Sequence, residues 1–164
     1  MISNFFKTIE PNGLETRQFE DGRGCLQILY EENGITLKRS TSKKNTLRGL
    51  HLQTCKTGQT KIIRVISGKV LDFLAEPNDE FEKVFYKEIT PKNGWLLIEP
   101  HLAHGFYALE KTVFEYFCIG AYAEDMEMSL NIASLLEKEF NISSPFMSSK
   151  DMKGRIYGRE LINS

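Results

Sequence analysis

A chain of 164 residues is long enough to bury one sizeable core, and it is predicted to form a single domain over residues 1–164. Its formal net charge of -1 gives no electrostatic footprint for nucleic acid, and the basic clusters Lys38-Arg39 and Lys43-Lys44 read as solvated loop charges. No apolar run approaches the roughly 20 residues of a membrane span, so neither a nucleic-acid nor a membrane partner is expected. The three cysteines, Cys25, Cys55 and Cys118, are widely spaced and form no CxxC pair, which predicts a reducing, cytoplasmic setting.

Residues 1–20 carry short apolar pieces broken by a turn signal at Pro11-Asn12-Gly13, and Met1–Lys7 has no apolar signal region. A turn is expected over Phe19–Gly24, then a strand at 25–30, a turn at Glu31–Gly34 and a strand at 35–40. Further strands are expected at 46–53, 60–66, 69–75, 83–90, 95–98, 104–109 and 112–119, with turn signals between them such as Ser67-Gly68 and Pro91–Gly94. Many short strands with regular turns predict an all-β sandwich or barrel, and the architecture expected is a jelly roll closing over a central cavity. Helix enters late. Apolar residues recur near i, i+3 and i+4 over Ser129–Phe140, so part of that stretch is expected as one short helix outside the barrel. The tail after Gly154 is polar and weakly patterned.

One stretch concentrates chemistry. Arg48-Gly49-Leu50-His51-Leu52-Gln53 is followed by Gln59-Thr60-Lys61 and by Arg64–Gly68, which places an arginine, a histidine and a lysine in one predicted hairpin. In a regular strand Arg48 and His51 point to opposite faces. A bend or bulge at Gly49 would bring both to one cavity. Two cations and a base around one pocket suit an anionic substrate that develops more negative charge. The other histidines are His104, entering a later strand, and His101 in the preceding turn, which reads as a hydrogen-bonded side chain without catalytic duty. The His-x-His-then-Glu pattern of metal-binding jelly rolls is broken here. Gln53 stands two after His51 and no Glu follows before Glu76.

Arg48–Gln53, Gln59–Val65 and Gly68–Asp72 together resemble the deoxythymidine-diphosphate-4-dehydrorhamnose 3,5-epimerase family. The likeness continues through Phe19, Asp21, Arg23 and Gly24, Ile98–Pro100, Ala103–Phe106, Phe114–Tyr116, Tyr122 and Ser149–Asp151, covering residues 19 to 151. It implies a metal-free, cofactor-free cupin-type jelly roll, a homodimer, and a nucleotide-diphosphate sugar as substrate. It also implies His51 as base oriented by Asp151, Tyr116 as acid, and Lys61 and His104 steadying the enolate oxygen. Arg48 would bind the diphosphate and Arg23 the nucleotide, in this family often from the partner subunit. Gln59, Glu127 and Lys150 fall at substrate-contact positions.

The chain also departs from the family. Thr36-Leu37-Lys38 stands for a Gln-Asp-Asn cluster, Ile28 for a glutamate and Phe117 for a lysine. Glu76 lacks the family's adjacent arginine, and the stretch around 130–140 replaces a segment with Trp and Asp-Pro. A retained catalytic set with a changed periphery implies a different 4-keto sugar nucleotide, or inversion of one carbon only.

The residue types suit that chemistry independently. A hydrogen beside a ketone is acidic when the enolate is stabilised, histidine accepts a proton near neutral pH, and a lysine near the ketone oxygen supplies electrostatic stabilisation. A tyrosine on the opposite face returns a proton there and inverts the carbon. The expected activity is inversion at C3, C5 or both of a nucleotide-linked 4-keto-6-deoxy sugar, a surface-glycan precursor. A 3,4-ketoisomerase needs similar bases and stays open, as does a non-catalytic sugar-nucleotide-binding barrel.

Overall fold

The computed structural model describes residues 17–54 and 58–164; the Pro11–Gly13 turn, the Met1–Lys7 segment and Cys55 lie outside the described residues. The chain first forms β1 (Arg17–Asp21), β2 (Gly24–Glu32), β3 (Ile35–Ser42), β4 (Leu47–Gln53) and β5 (Thr60–Ser67). It continues through β6 (Val70–Ala75), β7 (Lys83–Ile89), β8 (Leu96–Ile98), β9 (Ala103–Ala108) and β10 (Thr112–Ile119). After these come β11 (Glu127–Asn131), α1 (Ala133–Phe140), α2 (Ser149–Met152), β12 (Arg155–Ile156) and β13 (Glu160–Asn163). One sheet has the order β1-β2-β3-β10-β5-β8 and the other β12-β11-β4-β9-β6-β7-β13. Two facing, mainly antiparallel sheets make the expected jelly roll.

Alternation along the strands builds two apolar layers. On β6, Val70 faces the inside of the roll, where it joins Ile63, Val65, Ile98, Phe106 and Phe114. Leu71, Phe73 and Ala75 of the same strand face outward and pack with Leu135 and Leu136 of α1. α1 therefore covers the back of the second sheet, and its Phe140 meets Tyr86 edge-on at 5.2 Å. On the outer face of the first sheet, buried Glu115 accepts from Arg39 Nε at 2.8 Å and from Arg64 Nη2 at 2.7 Å. Arg64 in turn lies over Trp95 at 4.3 Å.

Three local expectations are corrected. Arg17–Asp21, read as loose chain running into a turn, is a strand paired with β2, and the turn is confined to Gly22-Arg23. Ser129–Asn131, read into the helical repeat, closes strand β11 against β4, with Ser129 opposite His51. Asn131 switches the chain to helix, because its Oδ1 accepts from the Ala133 amide at 3.0 Å and so competes with the strand ladder. The polar tail contains β12 and β13, which pair in parallel with β11 and β7. Edge pairing runs through the backbone and leaves little apolar alternation to read.

The register of β4 against β9 positions the site. Arg48 opposes Phe106 and His51 opposes His104, so three steps on β4 match two on β9. The extra residue is a β-bulge, as the sequence allowed, and it turns Arg48 and His51 toward one cavity while Leu47 and Leu50 enter the outer core. Two glycines permit the close crossing. Gly49 has φ 90, and a Cβ on Gly105 would lie 2.4 Å from the Arg48 carbonyl oxygen.

Gly105→Ala should therefore cost about 3 kcal/mol, the upper end for overpacking, read from the urea midpoint. An unchanged midpoint would mean that the crossing yields freely.

Candidate active site

The bulge brings His51 to the wall of a cavity of about 230 Å³ between the sheets, lined also by Arg23, Lys38, Arg48, Lys61, His104, Tyr116, Tyr122 and Glu127. Phe106 and Phe114, stacked 4.4 Å apart, form its apolar side.

His51 Nε2 stands 2.6 Å from Asp151 Oδ1. Asp151 reaches this place from α2, where its amide donates to the Ser148 side chain at 3.0 Å in a helix N-cap. Its carboxylate is fully buried, and its second oxygen accepts from Arg23 Nη1 at 3.3 Å. Burial alone would raise this carboxyl. The His51 hydrogen bond and charge outweigh burial, with Ser148 and Arg23 adding to them, and hold it below the usual aspartate value. An ionised carboxylate at Nε2 fixes the proton there and leaves Nδ1 as the basic nitrogen.

A second pair lies beside the first. His104, opposite His51 on β9, has Nε2 at 2.8 Å from Asp72 Oδ1, and both side chains are buried. Lys61 donates to the His51 carbonyl at 3.0 Å; burial, with Lys38 nearby, lowers its ammonium below the ordinary lysine value. Burial raises the Tyr116 phenol above its ordinary value, while Arg48 and Arg23 pull the other way. Arg48 Nε donates to Ser42 Oγ at 2.9 Å, whereas its buried Nη2 has no partner among the described residues.

The remaining expected residues are placed as follows. Arg23 lines the cavity of its own chain and is held by Asp21 at 2.7 Å. Gln59 is buried beside the cavity with Nε2 donating to the Gly120 carbonyl at 3.2 Å. Lys150 pairs with Glu127, and of these two Glu127 lines the cavity. His101 is on the surface beside Glu99 at 3.3 Å, not packed. Among the described residues no three His, Cys, Asp or Glu side chains converge as a metal-binding group.

The family profile described as dTDP-4-dehydrorhamnose 3,5-epimerase matches residues 12–157. The chain belongs to the dTDP-4-dehydrorhamnose 3,5-epimerase family. Members are isomerases acting on sugar nucleotides. A Salmonella typhimurium enzyme of that name is 30% identical, over 91% of this chain and 91% of its own length. One from Neisseria gonorrhoeae is 27% identical over 89% of this chain but only 49% of its own length, so the chain spans about half of that relative. The crystal structure of a Bacillus anthracis dTDP-4-dehydrorhamnose 3,5-epimerase, with TDP and PPi bound, superposes with a TM-score of 0.64 at 26% identity, covering 92% of this chain and 98% of that one.

Sequence reasoning gave no role to two residues of this epimerase-family chain, one behind the cavity wall and one on it. Asp72 was visible only as the end of a strand motif, and its partner His104 lies 32 residues away in the chain. Lys38 and Arg39, read as solvated loop charges, lie on β3, where Lys38 lines the cavity and Arg39 bonds buried Glu115; the alternation of Lys38 with Ser40 carried the signal that it faces inward.

Because the Asp151 carboxyl sits below the usual 3.8 in the folded chain, its contribution to stability is complete above that value and is lost as pH falls through the folded value. Urea unfolding between pH 2.5 and 7 should show Asp151→Asn losing part of the parent's acid-side decline. Parallel curves would remove Asp151 from the acid response.

Proposed function

We propose that this chain inverts C3, C5 or both of a nucleotide-diphosphate-linked 4-keto-6-deoxy sugar, by proton abstraction and reprotonation through an enolate. The observation that carries the reading is the 2.6 Å His51–Asp151 pair on a cavity that also holds Tyr116 and Lys61. His51 Nδ1 takes the proton as the C–H bond breaks. The bonding pair becomes the C=C bond, and the carbonyl π pair moves to oxygen. Lys61 and His104 hold that oxygen in a water-poor cavity, where fixed charges act strongly. Asp151 supports the imidazolium without itself taking the proton. Tyr116 then gives a proton to carbon from the opposite face, and the phenolate and imidazolium re-equilibrate with solvent. A raised phenol pKa keeps Tyr116 protonated as a donor, and Arg48 and Arg23 ease the charge it acquires.

The unpartnered Arg48 nitrogen suits a diphosphate oxygen, in line with the TDP and PPi bound by the Bacillus anthracis relative. Glu127 and Lys150 frame the sugar-nucleotide entrance, and Gln59 backs the cavity wall. A homodimer accompanies this reading. β1 is exposed along its whole length and carries Phe19 at 55% exposure, which suits an edge covered by a second copy. Cys25 and Cys118 are free thiols, in keeping with a cytoplasmic enzyme that supplies a surface-glycan precursor. Light scattering at micromolar concentration should give twice the chain mass, and a monomer mass would count against the dimer.

The decisive experiment follows deuterium from D₂O into a 4-keto-6-deoxy sugar nucleotide by NMR. The parent should exchange and invert, with the ketone staying at C4; a shifted ketone would mean ketoisomerisation, and no exchange a binding barrel. His51→Ala should abolish exchange. Tyr116→Phe should still exchange from the original face, yet lose inversion by roughly 10²–10⁴-fold. Full inversion by Tyr116→Phe would remove Tyr116 as the acid.

A further inference from the structure

The cavity holds one more cation than the roles above employ. Lys38 lies on β3 directly opposite Tyr116 on β10, so the two side chains leave the sheet on the same face. It is half-buried, with its ammonium 5.5 Å from the centre of the Tyr122 ring. Among the described residues it has no ion pair and no hydrogen bond. Arg48 also keeps one nitrogen unpartnered, but the other charged side chains of the cavity are engaged. Arg23 is held by Asp21 and Asp151, Glu127 by Lys150, and Lys61 by the His51 carbonyl. A recess of about 80 Å³ adjoins the main cavity, and Lys38, His51, Lys61, Tyr116, Tyr122 and Glu127 line both spaces. Lys38 is also close enough to Lys61 to help depress its ammonium. The Glu127 carboxylate in this space is paired with Lys150, so the two ammonium groups leave it net positive and suited to a ligand anion.

Position along the strand indicates which anion. Ser42, which holds Arg48, is on the same inward face four residues further along β3, about 13 Å at the rise of a strand. Lys38 is thus displaced from the Arg48 end toward the end where Lys61, Tyr116 and Cys118 meet. We propose that Lys38 is a second ammonium at the reacting end of the cavity, sharing with Lys61 the oxygen on which the enolate charge collects. This rests on the reaction proposed above. No bond to Lys38 is made or broken; it contributes charge where the carbonyl pair arrives, so it acts on the transition state more than on ground-state binding.

The test compares the parent, Lys38→Met and Lys38→Arg. Deuterium uptake from D₂O into the 4-keto-6-deoxy sugar nucleotide is measured at saturating substrate, and thymidine diphosphate binding is measured by calorimetry. Methionine keeps an unbranched stem, and far-UV circular dichroism checks the fold. Lys38→Met should lose roughly 10²-fold in exchange, the scale of one removed oxyanion donor, with thymidine diphosphate affinity within about twofold and Lys38→Arg recovering most of the rate. Exchange at the parent rate in Lys38→Met overturns the assignment. So does a variant that exchanges normally at saturation but binds thymidine diphosphate weakly, because Lys38 would then anchor phosphate. A parent that does not exchange at all overturns the proposed reaction, and this assignment with it.

Discussion

One extra residue on β4 opposite β9 is the constraint on which the site depends. Without it Arg48 and His51 would face opposite sides of the sheet, and Leu47 and Leu50 could not both enter the outer core. The bulge is held from both directions. Leu47 and Leu50 are fully buried on one side, and the His104–Gly105 backbone leaves no room for a side chain on the other. Core packing and site geometry are therefore the same event, since the hydrophobic burial that stabilises the second sheet also aims His51 into the cavity.

Around that crossing the two histidine–aspartate pairs divide the labour. His51 and His104 are register partners, yet their carboxylates come from different places. Asp72 comes from the adjacent strand β6, and Asp151 from a one-turn helix far along the chain. His104 and Asp72 are both buried, which suits a rigid wall of the cavity. His51 is the more open of the two, with about a third of its side chain exposed, which suits a group that must meet substrate.

The sequence made the architecture legible because short strands punctuated by glycine and proline turns leave little choice but a closed or layered β fold. The Arg48–Gln53 and Ser149–Asp151 motifs pointed to base and partner on separate elements, but only the folded chain shows their atoms meeting. Three kinds of feature stayed hidden. Ser129–Asn131 continues the helical period of the residues after it, but pairing with β4 and the local Asn131 side-chain bond to the Ala133 amide override it. β12 and β13 are short edge strands, with only Leu161 of β13 packing against the apolar core among the described residues. Lys38 and Asp72 acquire meaning only from cross-strand neighbours, Tyr116 and His104, distant in the chain.

The location of α2 has a consequence for the order in which the molecule becomes competent during synthesis. By the time β11 has emerged, the strands that wall the cavity are all available to pair, including the one bearing His51. The carboxylate that pairs with that histidine is translated later, after α1. A nascent chain therefore owns a cavity before it owns the His51–Asp151 pair, and the pair is completed as a late docking event rather than growing with the barrel.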